Sequence, residues 1–436
     1  MRNVLAATAS LLTSVGLLML AGGLFGSLIS LRSVAEGFPK ILAGSMMSAF
    51  YVGMILGTLR CGRLINRVGH IRAFGAFCAI TAATILAYPF YVNPWYWLVL
   101  RMIIGFNMAG LYMVAESWLN AKAQHANRAT LLSLYMMTSY IAMGGGQFLL
   151  NLGPVTGTEL FMIAAMLFSV ALVPVAVTRA SHPSPVEAPH FGFRRLYRIS
   201  PLAVIGCMLA GMIAGAVWGM APIFGKELGL STAEISVFMG ILIASGLLFQ
   251  LPVGRLSDHI DRRIVIAGVA LACVVASLAM LPITRAYSFA TLDPTHEVLA
   301  LPVPVWIFLA AALFGGFTAT LYPLNVAHAN DHIDPSELVP ASGGLILAYG
   351  TGAISGPLGA ASVMHLMGPA GLFVFNACAA LLLALVAFWR IRQGTPIPEE
   401  DKEEFVAMPE VSTTPVATEV DPRLSHPTDS ENELQP

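Results

Sequence analysis

Charge is what this 436-residue chain has least of. Asp, Glu, Lys and Arg together make up 11% of it, against 57% apolar residues and a mean hydropathy of +0.75. Soluble domains carry charge on about a quarter of their residues, so the composition excludes a water-soluble fold and implies a polytopic membrane protein. Cysteine is also scarce. Cys61, Cys78, Cys207, Cys273 and Cys378 fall within or at the edge of apolar runs, at no paired or metal-ligand spacing, which argues against a disulfide framework or a zinc site. No phosphate-binding loop lies beside a strand, and no nucleophile, base and orienting residue are grouped. Neither catalysis nor ATP-driven work is therefore expected, and no cofactor or metal is implied.

What is present is apolar length. A helix needs about 20 apolar residues to cross the hydrocarbon core, and twelve stretches meet that rule: 4–31, 41–62, 71–92, 95–119, 129–151, 158–178, 200–224, 233–256, 263–285, 302–326, 338–366 and 370–391. The first follows Arg2 in the manner of a signal peptide, but it continues to Leu31, too far for an h-region. The expected fold class is an all-α membrane protein of twelve transmembrane helices. Ser231 with Glu234, and Asp334 to Glu337 with Pro335 at the first helical position, read as helix starts.

A proline-rich polar stretch, His182 to Pro189, followed by Arg194, Arg195 and Arg198, divides the spans six and six. The expected units are a six-helix bundle over 1–178, a linker over 179–199, a second six-helix bundle over 200–392 and an acidic tail over 393–436. The tail is too poor in apolar residues to fold and is expected to be disordered. It also distorts the net charge of -1, because 11 acidic residues follow Pro398 beside only Lys402 and Arg423. Before residue 399 the chain has 21 basic residues against 13 acidic ones. Such an excess belongs on cytoplasmic loops and does not point to nucleic acid. Of the 23 Lys and Arg, 18 fall at the N-terminus, in the even-to-odd connections or after the twelfth stretch. Both termini are thus expected in the cytoplasm, and only the acidic connection 331–337 breaks the pattern.

Two short basic segments recur at matching places. One reads Gly62-Arg63-Leu64-Ile65-Asn66-Arg67-Val68-Gly69-His70-Ile71-Arg72, the other Gly254-Arg255-Leu256-Ser257-Asp258-His259-Ile260-Asp261-Arg262-Arg263, and they start 192 residues apart, as a duplicated half would place them. Each is read as a polar turn between two spans. Both resemble motif A of the major facilitator superfamily, G-x-L-a-D-R-x-G-R-K, with Asn66 in place of the acid in the first copy and Asp261 in place of the glycine in the second. The Tyr322-Pro323-Leu324 stretch with the residues up to Asp331, together with Glu116-Ser117-Trp118-Leu119-Asn120, is similar to the YcaD-like branch of that superfamily.

The resemblance implies a secondary transporter that works by alternating access. Its substrate would be a small molecule, with protons as the expected coupling ion and export as one direction. The expected setting is the bilayer of a bacterial inner membrane, and a monomer is expected. An uncoupled facilitator, and a membrane sensor signalling through the tail, are the alternatives. By the same resemblance Arg63, Asn66, Arg67, Arg72, Arg255, Asp258, Arg262 and Arg263 are gating residues. Glu116 would join them as a latch neutralised by Arg67 or Arg72, with proton carriage or helix anchoring as other readings; Glu36 and Asp258 are the remaining carboxylates considered for protons.

The fourth stretch carries Arg101 four residues before Gly105, similar to the family's motif B. A guanidinium at that depth needs water, a counter-charge or carbonyls, so Arg101 either faces a cavity or snorkels to the interface. Asn107, roughly 9 Å farther along the helix, and Tyr112 are candidate binding residues beside it. In the tenth stretch Gly315, Gly316 and Pro323 suggest local unwinding, with Thr318, Tyr322 and Asn325 as lining or as packing residues. Trp218 reads as cavity wall or interfacial belt. His328 and His332 read as a polar helix end.

Overall fold

The computed structural model describes residues 2–122, 128–177, 193–290, 297–298, 301–334, 337–393, 398, 402 and 405–408. The proline-rich stretch 182–189, Pro335 and Ser336 of the second helix start, and residues 409–436 of the tail lie outside them. The long apolar runs form α1 (Arg2–Ala35), α2 (Lys40–Val68), α3 (His70–Ala87), α4 (Pro94–Lys122), α5 (Arg128–Phe148) and α6 (Glu159–Val177). After the short α7 (Phe193–Ile199) come α8 (Pro201–Leu228), α9 (Thr232–His259), α10 (Arg262–Ala290), α11 (Val303–Asn330), α12 (Leu338–Met367) and α13 (Gly371–Ile391). Glu297–Val298 and Leu301–Pro302 pair as a short antiparallel ribbon.

Helix ends follow local chemistry. The Ser231 hydroxyl accepts from Glu234 N at 3.3 Å while Ser231 N donates to the Glu234 carboxylate at 2.8 Å, closing the expected capping box. Asn93 caps α4, its side-chain oxygen accepting from the backbone N of Trp95 and Tyr96. The basic segments are not the polar turns the sequence suggests. Helix α2 runs on through Val68, and the reversal into α3 is Gly69 alone, at φ 86°. In the second copy α9 continues to His259 and only Ile260 and Asp261 separate it from α10.

Among the described residues, ten helices are long and apolar enough to cross a membrane, which makes this an integral multi-pass membrane protein. Helices α5 and α12 coincide with two more predicted stretches. Helix α11 is also unlike the expectation: it runs unbroken through Pro323. Its paired glycines serve close approach instead, Gly315 against the Leu242 carbonyl and Gly316 against the Phe249 ring.

Packing repeats along the chain. Helix α1 packs on α5 and α6, α2 on α4, and α3 on α4 and α6. Later, α8 packs on α12 and α13, α9 on α11, and α10 on α11 and α13. The two sets meet along α2 with α12, α5 with α9, and α1 with α8. Hydrocarbon offers no hydrophobic drive between helices, so such contacts depend on small residues and close van der Waals fit. Gly53 lies on the carbonyl of Met102 and Gly105 on that of Phe50, which brings α2 and α4 backbone to backbone.

Gly105→Ala should therefore destabilise the protein by about 1–3 kcal/mol through overpacking. Gly268→Ala, at an open position of α10, should instead stabilise it by up to about 1 kcal/mol through helix propensity. Thermal melts of the two purified variants check the opposite signs.

Candidate functional site

A cavity of about 60 Å³ lies where α1, α2, α4, α5 and α8 converge, walled by Met19, Phe25, Met47, Phe50, Met143 and Trp218, with Arg101 and Tyr112 from α4. A second, of about 30 Å³, lies between α5, α8, α9 and α11 and is lined by Tyr140, Trp218, Ile243, Thr318 and Ala319. Met19, Met143 and Trp218 line both. These three side chains are thus the partition between the two spaces.

Arg101 is 3% exposed. Its guanidinium lies over the Phe50 ring at 4.7 Å and the Phe25 ring at 5.3 Å, and one terminal nitrogen donates to the Met47 sulfur at 3.5 Å. Its Nε finds no hydrogen-bond partner among the described residues. No carboxylate is among the residues lining either cavity. Taking an ion out of water costs several kcal/mol, while each ring face returns about 0.5–2 kcal/mol, so the arrangement is under-compensated. The polar groups nearby are not. Ser27 donates to Gln147 Oε1 at 2.6 Å and Gln147 Nε2 donates to the Gly23 carbonyl at 3.0 Å, binding α1 to α5.

The structure brings together Arg101, Tyr112, Trp218 and Thr318 of the predicted binding residues. Thr318 also donates to the Gly315 carbonyl. The other three are held elsewhere. Asn107 donates to the Ile103 carbonyl one turn back. Tyr322 meets the Tyr349 ring edge-on at 4.8 Å, and Asn325 is buried against Gly206 with its Nδ2 donating to the Leu321 carbonyl. Tyr322 thus touches α12 and Asn325 touches α8, while Asn107 bonds within α4. Met19, Met47 and Met143 were not expected at the site, because a chain with 21 methionines spread over most of its helices gives nothing that singles these three out.

At the face holding the basic segments, Arg63, Asn66, Arg67 and Arg72 are exposed on the last turns of α2 and the first of α3. Glu116 is fully buried on α4, where the Tyr135 hydroxyl donates to it at 3.4 Å. Among the described residues no ion pair joins Arg67 or Arg72 to Glu116. The Glu116 carboxylate lies against α5, while Arg67 and Arg72 are exposed. Glu36 is likewise occupied, by Arg32 at 2.6 Å.

The second segment is pinned. Arg255 is exposed, but Arg262 is buried and pairs with Asp258 at 3.2 Å and with Asp331 at 2.7 Å, and it donates to Ser257 at 2.9 Å. Arg263 grips Asp261 at 2.8 Å and donates to the Arg390 carbonyl. Burial pushes the Asp261 carboxyl up, but the charged hydrogen bonds from Arg263 outweigh it and hold the group below its usual range. Asp331, and Glu337 with its 2.7 Å pair to Arg195, account for the acidic connection 331–337: it neutralises bases of the hinge and the linker. His332 Nδ1 meets the His328 carbonyl at the end of α11.

Part of the tail packs on this face, although disorder was expected there. Lys402 donates to the carbonyls of Asp258 and Ile260, capping α9, and Phe405 N donates to Asp258 at 3.0 Å. The Phe405 ring covers Gly254, and Met408 O accepts from Gln250 Nε2, which also donates to Tyr140 at 2.7 Å and to the Ala319 carbonyl. Phe405-Val406-Ala407-Met408 is an apolar tetrad within an acidic tail, so it has a reason to dock that average composition hides. On the opposite face, Lys40 pairs with Glu227 at 2.7 Å and donates to the Met364 carbonyl at 3.3 Å, joining α2 to α8 and α12. Ser48 donates to the Ile354 carbonyl at 2.6 Å, and Asn151 donates to Ser236 at 3.2 Å.

The sequence matches the family model of the Major Facilitator Superfamily over residues 11–301 and 286–423. It is 30% identical over 397 residues to the "Uncharacterized MFS-type transporter YcaD" of Salmonella typhi, and equally to that of Salmonella typhimurium, covering 89% of this chain and 96% of each relative. The fold resembles that of the nucleoside transporter NupG, with a TM-score of 0.69 and 14% identity over 88% of this chain and 99% of that one. It also resembles a bacterial homologue of the human lysosomal transporter Spinster in an inward-facing, occupied conformation, with a TM-score of 0.70 and 12% identity over 91% of this chain and 98% of the other.

Two outcomes follow from the contacts at the two faces. With the exposed Cys378 replaced by Ser, a cysteine at position 48 should react with a soluble maleimide about fivefold faster once Lys40→Glu breaks the pair with Glu227, as a shift of ~1 kcal/mol would give. Adding Glu227→Lys should restore slow labelling. At the other face, a cysteine in place of Ala407 should label slowly, and about tenfold faster after Phe405→Asp, because a buried charge cannot stay against Gly254.

Proposed function

The chain belongs to the Major Facilitator Superfamily, in its YcaD-like branch, and from that premise we propose that it is a secondary active transporter moving a small solute by alternating access. The two cavities partitioned by Met19, Met143 and Trp218 carry this reading. They lie on the line where the early and late helix sets meet, the place a rocking transporter keeps its site. Six helices before α7 and six after it would form two pseudo-symmetric bundles, 1–178 and 200–392. In support, each packing pair of the first set has a counterpart in the second: α1 with α5 as α8 with α12, α2 with α4 as α9 with α11, α3 with α6 as α10 with α13.

The Lys40–Glu227 pair and the Ser48 and Asn151 bonds would close one mouth. By the distribution of basic residues the closed mouth faces away from the cytoplasm and both termini are cytoplasmic, and the bacterial origin of the relatives supports a bacterial inner membrane. The solute and protons are the partners in this reading, within the bilayer and in a monomer. Export in exchange for protons is its directional form, and Glu116, buried beside Tyr135, is the carboxylate that suits the proton. The relatives and structural neighbours are transporters by name, which lends the sensor no support.

The test uses purified protein in proteoliposomes, with solutes chosen because they raise its melting temperature. In the Asn151→Cys/Ser236→Cys variant, oxidation should stop flux and reduction should restore it. Undiminished flux through the oxidised protein would sink alternating access. An inward proton gradient should speed export several-fold; export indifferent to the gradient would leave an uncoupled facilitator.

A further inference from the structure

We propose that the cavity beside Arg101 selects an amphipathic organic monoanion, one carboxylate or sulfonate carried on an apolar, aromatic body. This deepens the transport reading and rests on it. The first reason is charge. The walls of both cavities contain one ionised side chain, Arg101, and no carboxylate. The guanidinium touches only two ring faces and a thioether, and its Nε donates to nothing among the described residues. A buried cation of this kind lacks an acceptor, and planar, forked donors match a carboxylate or sulfonate in shape. A second cation would be repelled, and a neutral solute with carbonyl acceptors would meet the donors but leave the buried charge unneutralised.

The second reason is the rest of the wall. Met19, Met47, Met108 and Met143 face Phe25, Phe50 and Trp218 across the space. Thioethers are polarizable and change rotamer readily, so they mould to an apolar body and favour aromatic edges. Of the polar groups on this wall, Ser27 and Gln147 bond to each other and to the Gly23 carbonyl, and the Tyr112 hydroxyl is the one other polar group beside Arg101. One anionic head and a hydrophobic body is what remains. The partition residues extend the argument, since displacing Trp218 and Met143 would join the smaller cavity to the first and lengthen the apolar space without adding charge.

The experiment uses the full chain in lipid nanodiscs and three ligands that share a ring system but differ in charge: 2-naphthalenesulfonate, 2-naphthalenesulfonamide and (2-naphthyl)trimethylammonium. Binding is read by equilibrium dialysis against empty nanodiscs. The sulfonate should bind about tenfold or more tighter than the neutral sulfonamide, with the ammonium weakest. Arg101→Gln should remove that preference and Arg101→Lys should keep part of it, a point charge without the fork. Sulfonate binding no tighter than that of the sulfonamide, including no binding of either, overturns the proposal in the wild-type protein alone, whether or not the variants fold. Proteoliposome flux separates this from the parent reading. Arg101-dependent binding without flux keeps the anion site and removes transport; flux of the neutral or cationic compound in preference to the sulfonate keeps transport and removes the anion site.

Discussion

Everything in this molecule depends on how helices approach one another where no water is displaced by their contact. In hydrocarbon the gain comes from dispersion and from distance, so backbones must come close. Gly53 and Gly105 do this for α2 and α4, and Gly352 and Gly356, seated on the carbonyls of Met208 and Met212, do it for α8 and α12. Between the two helix sets the same device is used sparingly. Gly44 rests on the Pro357 carbonyl, and beside it Ser48 and Lys40 supply hydrogen bonds and one ion pair. Within a set, contact is made by tight backbone fit. Across the sets, polar bonds from Ser48 and Lys40 are added to the close contact.

The cavity occupies the place where close approach stops. Where α1, α2, α4, α5 and α8 converge, Met19, Phe25, Met47, Phe50 and Trp218 hold the backbones apart. Into that gap α4 projects Arg101, about 10 Å of helical rise from Pro94, too deep to be watered from the helix end. Had a carboxylate stood opposite, the guanidinium would be paired as Arg262 is by Asp331. With rings and a sulfur instead, the charge stays available. The same residue type pairs with carboxylates at one depth and lies against rings and a thioether at another.

Much of the fold could be read from the sequence because apolar length and helix caps are local. The described helices lie close to the predicted stretches, and the Ser231–Glu234 box forms as its spacing implies. Three things were hidden for physical reasons. Proline and glycine in α11 suggested a break, but neighbours that accept the glycines closely keep the helix whole. Polarity at 107, 322 and 325 suggested a binding role, yet a helix can absorb an amide through its own carbonyls, as Asn107 and Asn325 do. The Lys40–Glu227 pair joins residues far apart in the chain, and nothing local marks either. Of the candidate site, Arg101, Tyr112, Trp218 and Thr318 could be read; the methionine walls could not, since apolar residues in an apolar chain carry no contrast.

The two basic segments, alike in sequence, are unlike in what holds them. The first ends in a single glycine and leaves Arg63, Arg67 and Arg72 exposed. The second is tied through Arg262 to Asp258 and Asp331, through Arg263 to α13, and through Asp258 to the docked tail. Where the second segment has Asp258 the first has Asn66, and an amide cannot pair with arginines as a carboxylate does. Asp331 from α11 adds a second carboxylate to Arg262. Two segments of matching sequence are therefore held by different chemistry, and charge pairing is what ties the second to α11 and to the docked tail.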